Sequence, residues 1–210
     1  DISFVCPGAS GRQSRSLLFR YASPRPSPVG LNGKPWTVLP ASPGLTERTI
    51  FFHDVEWTAA GRLTFAASSG IRIFDLEVQN WDAAQPGGLT YLQGWGMDEA
   101  APGHPSFRWS YGPTSQLRLT SERAGKIRLN WRGHATKPGN RLQLSVNGRA
   151  QAIIAELPLE AAPLQADLQI GEGTSLVEFT YTRWGSTSPN DSRPLALSFE
   201  SLQLSWAPRP

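Results

Sequence analysis

Residues 126–148, KIRLNWRGHATKPGNRLQLSVNG, decide the fold class. In 126–132, Ile127, Leu129 and Trp131 alternate with Lys126, Arg128, Asn130 and Arg132. In 141–147, Leu142, Leu144 and Val146 repeat the pattern. Apolar residues at every second position mark strands with one face buried and one wet, the habit of antiparallel sheets. The run closes on Asn147-Gly148, a pair that tolerates positive φ at both positions and so makes a tight hairpin.

Outward from this stretch, alternation or β-branched and aromatic runs predict strands at 16–21, 48–57, 62–67, 71–78, 106–111, 116–120, 174–182 and 195–206. In the last, the inward set shifts from Leu195, Leu197 and Phe199 to Leu202, Leu204 and Trp206. A change of phase without a break predicts a β-bulge near residues 200–201. Gly87-Gly88, Pro102-Gly103, Pro138-Gly139 and Pro189-Asn190 punctuate the strands. The one helical candidate, 157–162, is short and crowded by Pro158 and Pro163. Many short strands with regular turns read as an all-β sandwich.

The pattern occurs twice. LLFRYAS, VGLNGKPW, GRLTF and GIRIFDLEV in 17–78 correspond to IRLNWRGHA, LQLSVNGRA, SLVEFTY and LALSFESLQLSW in 127–206. Phe19 matches Leu129, Asn32 matches Asn147 and Phe74 matches Phe199, at offsets of 110, 115 and 125 residues. A repeat this long implies two tandem antiparallel β-sandwiches. The expected division is 1–80 for the first, 81–92 for a linker and 93–210 for a complete second sandwich. Recognisable strands in the first begin only at Ser16, so its front strands are truncated or another segment supplies them. A missing strand leaves an open edge, which favours pairing with a partner.

Composition agrees with a folded protein: 210 residues, 39% hydrophobic, 18% charged and eight tryptophans. The net charge of +3 is spread evenly, with 8 basic and 7 acidic residues in 1–91 and 12 and 10 in 92–210. No basic block points to nucleic acid. Cys6 is the single cysteine, which forbids a disulfide within the chain and leaves a buried thiol or an intermolecular bridge. No apolar run reaches the ~18 residues of a membrane span. The sequence opens on Asp1 without a signal-type leader, as a processed product or an excised segment would.

GWGMDEAAPGHPSFRWSYGPTSQLRL, GKIRLNWRGHATKPGNRLQLSVNGRA and TRWGSTSPNDSRPLALSFESLQL together resemble the soluble β-sandwich appended to some bacterial membrane glycosyltransferases. The matching positions are Gly94-Trp95, Glu99, Phe107-Arg108-Trp109, Val146-Asn147-Gly148 and Asp191-Ser192-Arg193-Pro194-Leu195. FRYAS, VGLNGKPW and GIRIFDLEV are similar to galactose-binding-like, carbohydrate-binding modules. The resemblance implies jelly-roll sandwiches and a non-catalytic, glycan-contacting role in an extracytoplasmic bacterial protein. The partner would be a glycan or cell-envelope polysaccharide. The alternative is a protein assembly module, completed at the first sandwich's edge by another chain and binding no sugar.

Catalytic chemistry finds little footing. In His53-Asp54-x-Glu56, a strand turns His53 away from the two carboxylates, so the three do not converge on a metal. Asp75 and Glu77 share one strand face, whereas glycosidase carboxylates oppose each other across a cleft. His53, His104 and His134 lie far apart, and no nucleophile elbow or phosphate-binding glycine loop accompanies them. The sequence therefore implies no metal, no cofactor and no enzyme. Trp131, Trp206 and Trp57 read as core, and Trp36 is undecided. Sugar modules stack a flat aromatic on a pyranose and fix its hydroxyls with Arg, Asn or Asp. Arg183 and Trp184 with Asn190 and Asp191 offer that set in one loop. Arg108 and Trp109, with Trp95 and Tyr111 nearby, offer another. The same residues also suit a structural plug, with Arg183 paired to Asp191.

Overall fold

The computed structural model of the chain describes residues 2–6, 13–52, 61–82, 85–100, 106–186 and 188–208. The first strands are β1 (Ile2–Cys6), β2 (Gln13–Ser23), β3 (Ser27–Leu31), β4 (Lys34–Leu39), β5 (Ser42–Phe52), β6 (Gly61–Phe65) and β7 (Arg72–Asp82). Next come β8 (Gly88–Tyr91), β9 (Trp95–Glu99), β10 (Phe107–Tyr111), β11 (Thr114–Ser121), β12 (Gly125–Gly133), β13 (Leu142–Val146) and β14 (Arg149–Ile154). The last are β15 (Ala162–Ile170), β16 (Gly173–Tyr181), β17 (Leu195–Phe199) and β18 (Ser201–Trp206). Among the described residues the only helical element is a 3-10 turn at Ala67–Ser69. The 157–162 candidate is not helical. The chain forms two compact units, Asp1–Ala84 and Gln85–Pro210.

In the second unit, five antiparallel strands in the order β14-β13-β16-β11-β8 make one sheet. The other face consists of β15-β12-β18 and β17-β10-β9. Backbone bonds from Glu200 N to Arg132 O (2.8 Å) and from Ser198 N to His134 O (2.9 Å) carry β12 along β17 as well as β18. β17 and β18 are thus one strand, bent at Glu200, where the phase change predicts a bulge. Inward side chains from both faces meet in one core, including Leu117, Ile127, Leu129, Leu144, Val177, Phe179 and Phe199. Trp131 stacks on Phe199 at 5.7 Å between ring centres. Trp206 packs partly buried against the same core, under the guanidinium of Arg123 at 4.2 Å.

The first unit repeats this plan with fewer strands. Its sheet β1-β6-β3-β4 matches β11-β16-β13-β14, and β5-β2-β7 matches β15-β12-β18. Leu17, Phe19, Tyr21, Val29, Leu39, Leu63 and Phe65 form its core, with Trp36 packed against it. β1, which the sequence reading missed, holds the place of β11. Among the described residues, β8, β9 and β10 have no counterparts there. The Phe19–Leu129 anchor holds, since both are fully buried on the central strand. The Phe74–Phe199 match fails: Phe199 is 2% exposed and Phe74 is 61% exposed. Opposite the central strand, Leu76 faces Phe19 as Leu204 faces Leu129, so a register shift beside Tyr21 separates Phe74 from its supposed partner. Gly88–Tyr91 lies in the stretch expected as linker, yet it pairs with β11 as an edge strand.

Both hairpins share one device. Asn32 and Asn147 sit at φ of 51° and 50°, each followed by a glycine at φ of 78° and 77°. The Asn147 Oδ1 accepts the N–H of Leu176 at 2.8 Å, while the Asn147 N–H donates to Leu176 O at 2.8 Å. Asn32 makes the same two bonds with Arg62, both at 2.8 Å. The turn thereby locks a hairpin and the neighbouring strand together. Asn147→Ala removes that acceptor and places a Cβ residue without a local hydrogen bond at positive φ. We expect it to cost about 1–2 kcal/mol and lower the urea midpoint. An unchanged midpoint would show that the bond to Leu176 carries no weight.

Candidate functional site

The loop following β12 and the loop following β16 meet at one end of the second sandwich. Asn140, fully buried, joins them: its Oδ1 accepts the Arg183 N–H at 3.0 Å, and its Nδ2 donates to Ala196 O at 3.4 Å. Lys137 reaches across to donate its Nζ to Ser186 O at 2.9 Å. Arg183 reaches the other way and donates Nη1 to Pro138 O at 3.2 Å. Between these straps lies a cleft of about 330 Å³ lined by Lys137, Pro138, Thr182, Arg183 and Trp184.

Trp184 is the exposed aromatic of this cleft, at 42%. Its indole lies directly on Gly112, where an added Cβ would stand 2.3–2.6 Å from the Trp184 Cγ, Cβ and Cδ2. Only glycine admits the ring there. The Gly112 N–H donates to Pro194 O at 2.8 Å and the Gly185 N–H to Leu195 O at 2.8 Å, which ties both sides of the ring to the start of β17.

The other expected site residues are placed differently. Trp95 belongs to the core: its Nε1 donates to Gln116 O at 2.8 Å, and its ring meets Tyr91, Phe179 and Phe199 edge-on at 5.0, 5.6 and 5.0 Å. Trp109, 9% exposed, packs against Phe107 at 5.9 Å and His134 at 5.4 Å. Rings enclosed in this way do not stack on a ligand. Arg108 donates Nε to Asp98 Oδ1 at 2.8 Å, with its guanidinium 4.0 Å above the Tyr91 ring. That hydrogen bond holds the Asp98 carboxyl below the ordinary carboxylate range. Tyr111 is half-buried, its hydroxyl over Gly96.

Asp191 pairs with Arg193 and not with Arg183. Arg193 Nε and Nη2 hold both Asp191 oxygens at 2.8–3.1 Å, and its Nη1 bonds Glu99. The Glu, Asp and Arg of the sequence motif therefore form one clamp between the 182–194 loop and β9. Asn190 is exposed in that loop. Of the residues in the two expected constellations, Arg183 and Trp184 line one cleft together. Sequence reasoning missed Lys137, whose one signal is its place before the Pro138-Gly139 turn.

Among the described residues, no group of three His, Cys, Asp or Glu side chains is placed to hold a metal. His53, Asp54, Glu56, Trp57 and His104 lie outside the described residues. His134 Nδ1 contacts Ser198 Oγ at 2.7 Å, but Ser198 is 1% exposed and its oxygen also accepts the His134 N–H at 3.0 Å. A hydroxyl enclosed in this way braces the strand crossing and offers no nucleophile to a substrate. No helix among the described residues is long and apolar enough to cross a membrane.

No protein-family model matches the sequence, and no curated protein matches it. Among solved structures, the chain is similar to a carbohydrate-binding module from Cellvibrio mixtus lichenase 5A in complex with cellotriose. The match has 10% identity and a TM-score of 0.37, covering 56% of this chain and 90% of that one. It is similar to a family 35 carbohydrate-binding module from Clostridium thermocellum at 11% identity and TM-score 0.38, over 59% of this chain and 95% of that one. A ruminal GH26 endo-beta-1,4-mannanase matches at 14% identity and TM-score 0.38, over 55% of this chain and 21% of that one.

Burial pushes the His134 pKa below its ordinary value, against a smaller opposing pull from Glu200. A histidine whose folded pKa is depressed takes up more protons unfolded than folded. Its contribution is therefore intact above the ordinary value of ~6.5 and lost as pH falls below it. The urea midpoint is expected to decline between pH 7.5 and 5, and His134→Gln should flatten that decline. An identical slope in the variant would remove His134 as its cause.

Proposed function

We propose that the second unit is a non-catalytic carbohydrate-binding module whose ligand sits in the Trp184 cleft, carried by an extracytoplasmic bacterial envelope protein. One observation carries the reading. The sandwich buries or encloses its other loop tryptophans, Trp95 and Trp109, but leaves Trp184 exposed on a backed support, with Arg183 and Lys137 beside it. An aromatic held flat and exposed costs hydrophobic burial, which a ligand's apolar face restores. Hydrogen-bond donors at its rim supply orientation.

A second reading rests on the first unit. That unit repeats the plan of the second without counterparts to β8, β9 and β10 among the described residues. β1, which holds the place of β11, then has β6 on one side and no described strand on the other, where β8 lies beside β11 in the second unit. An extended segment of a protein partner adding to β1 would complete that sheet of the repeat, in the manner of strand addition.

A glycan array with the full chain tests the first reading, with cellotriose and β-1,3-glucan among its probes. Trp184→Ala is expected to weaken any glycan binding by about tenfold or more while leaving the urea midpoint near wild type. Gly112→Ala should act in the same direction by displacing the indole. An array on which the folded chain binds nothing would retire the proposal and leave the strand-addition reading.

A further inference from the structure

We propose that the Trp184 cleft selects acidic glycans, sugars bearing a carboxylate, over neutral ones. This rests on the sugar-binding reading of the cleft and names its ligand class.

The inference comes from which cations are neutralised. On the sheet face of the second unit, Lys126 and Arg128 both bond Asp167, at 3.2 and 2.7 Å. The hydrogen bond from Arg128, seconded by that from Lys126, holds the Asp167 carboxyl down at about 2. Arg132 pairs with Glu200, Arg108 with Asp98, and Arg193 with Asp191 and Glu99. In the cleft the pattern changes. Lys137 and Arg183 each bond a backbone carbonyl, which is neutral, and neither has a carboxylate within ion-pair distance among the described residues. Asp191, which also takes a hydrogen bond from Ser186, has both oxygens engaged by Arg193.

The lining is correspondingly one-sided. Lys137, Pro138, Thr182, Arg183 and Trp184 include two cations and no carboxylate or side-chain amide. Thr182 Oγ1 is already occupied as acceptor for the Arg141 N–H at 2.9 Å. A neutral sugar presents hydroxyls that want both donors and acceptors, and this cleft offers almost only donors. One carbonyl bond leaves most of the N–H donors of a guanidinium or an ammonium unused. The ligand that matches them is rich in acceptors and negatively charged, and a planar carboxylate suits the planar guanidinium. The straps also fix both cations before a ligand arrives, so little ordering is required on binding.

Calorimetric titration of the full chain with oligogalacturonate, its methyl ester and cellotriose tests this. The ester is the same sugar with its charge erased. At low salt the acid form is expected to bind about tenfold tighter than the ester. That advantage should shrink as salt is added. Lys137→Gln and Arg183→Gln should each reduce the acid-over-ester ratio while the urea midpoint stays close to wild type. Trp184→Ala should weaken both forms. Equal binding of acid and ester, or an acid preference that survives both substitutions, overturns the acidic-glycan inference and leaves the sugar-binding reading standing. Absence of binding to all three, together with a blank glycan array, removes both.

Discussion

Register in both units hangs on an asparagine at positive φ. At Asn147 the backbone turns β13 into β14, and the side chain simultaneously takes the Leu176 N–H from β16. Three strands are fixed relative to one another at a single residue. A slip by one position would carry Leu142, Leu144 and Val146 to the solvent face, because side chains alternate with a period of two. Asn32 does the same for β3, β4 and β6 with the same distances. The core pairings that follow, Val29 with Phe65 in one unit and Leu144 with Phe179 in the other, depend on that registration.

Strands with clear alternation were legible in the sequence. Those around Phe19, Leu129, Leu144 and Phe179 read correctly because their inward residues are large and their outward residues polar. β15 was missed although Leu164, Ala166, Leu168 and Ile170 alternate, since a leading proline and weak β formers mask the period. β8 was read as linker because Gly87 before it and Gly88 at its start outweigh the short Leu-Thr-Tyr run. The bend at Glu200 was legible because a bulge necessarily shifts the inward set by one. Phe74 misled because it is the extra residue of a register shift opposite Arg20 and Tyr21: the inward set of β7 steps from Ile73 to Leu76 and passes over it, although Phe74 is the largest apolar side chain of that run.

The site was legible only in part, for a reason of scale. Sequence places Trp95, Trp109 and Trp184 equally in or beside glycine- and proline-rich segments. Their fates diverge through long-range contacts. Trp95 is drawn inward by Phe179 and Phe199, about 80 to 100 residues away in sequence. Trp109 is covered by His134. Trp184 meets the backbone of Gly112, which supports the ring without enclosing it. The pairing of Asp191 with Arg193, two residues on, was equally ambiguous, because Arg183 and Arg193 flank the same loop. Glu99 settles it by adding a second carboxylate on the Arg193 side.

That assignment of charge has a consequence for the whole end of the sandwich. Arg193 must serve two carboxylates, so Arg183 is left with a carbonyl. Had Asp191 paired with Arg183, the cleft would carry a single uncompensated cation, Lys137, and the guanidinium would lie in the clamp. The motif residues Glu99, Asp191 and Arg193 therefore act on the cleft without lining it. They hold the loop in place and keep its carboxylate on Arg193. The ion pairs that Arg193 completes set the charge at the loop, and the frame that Asn147 registers sets the strand pairing.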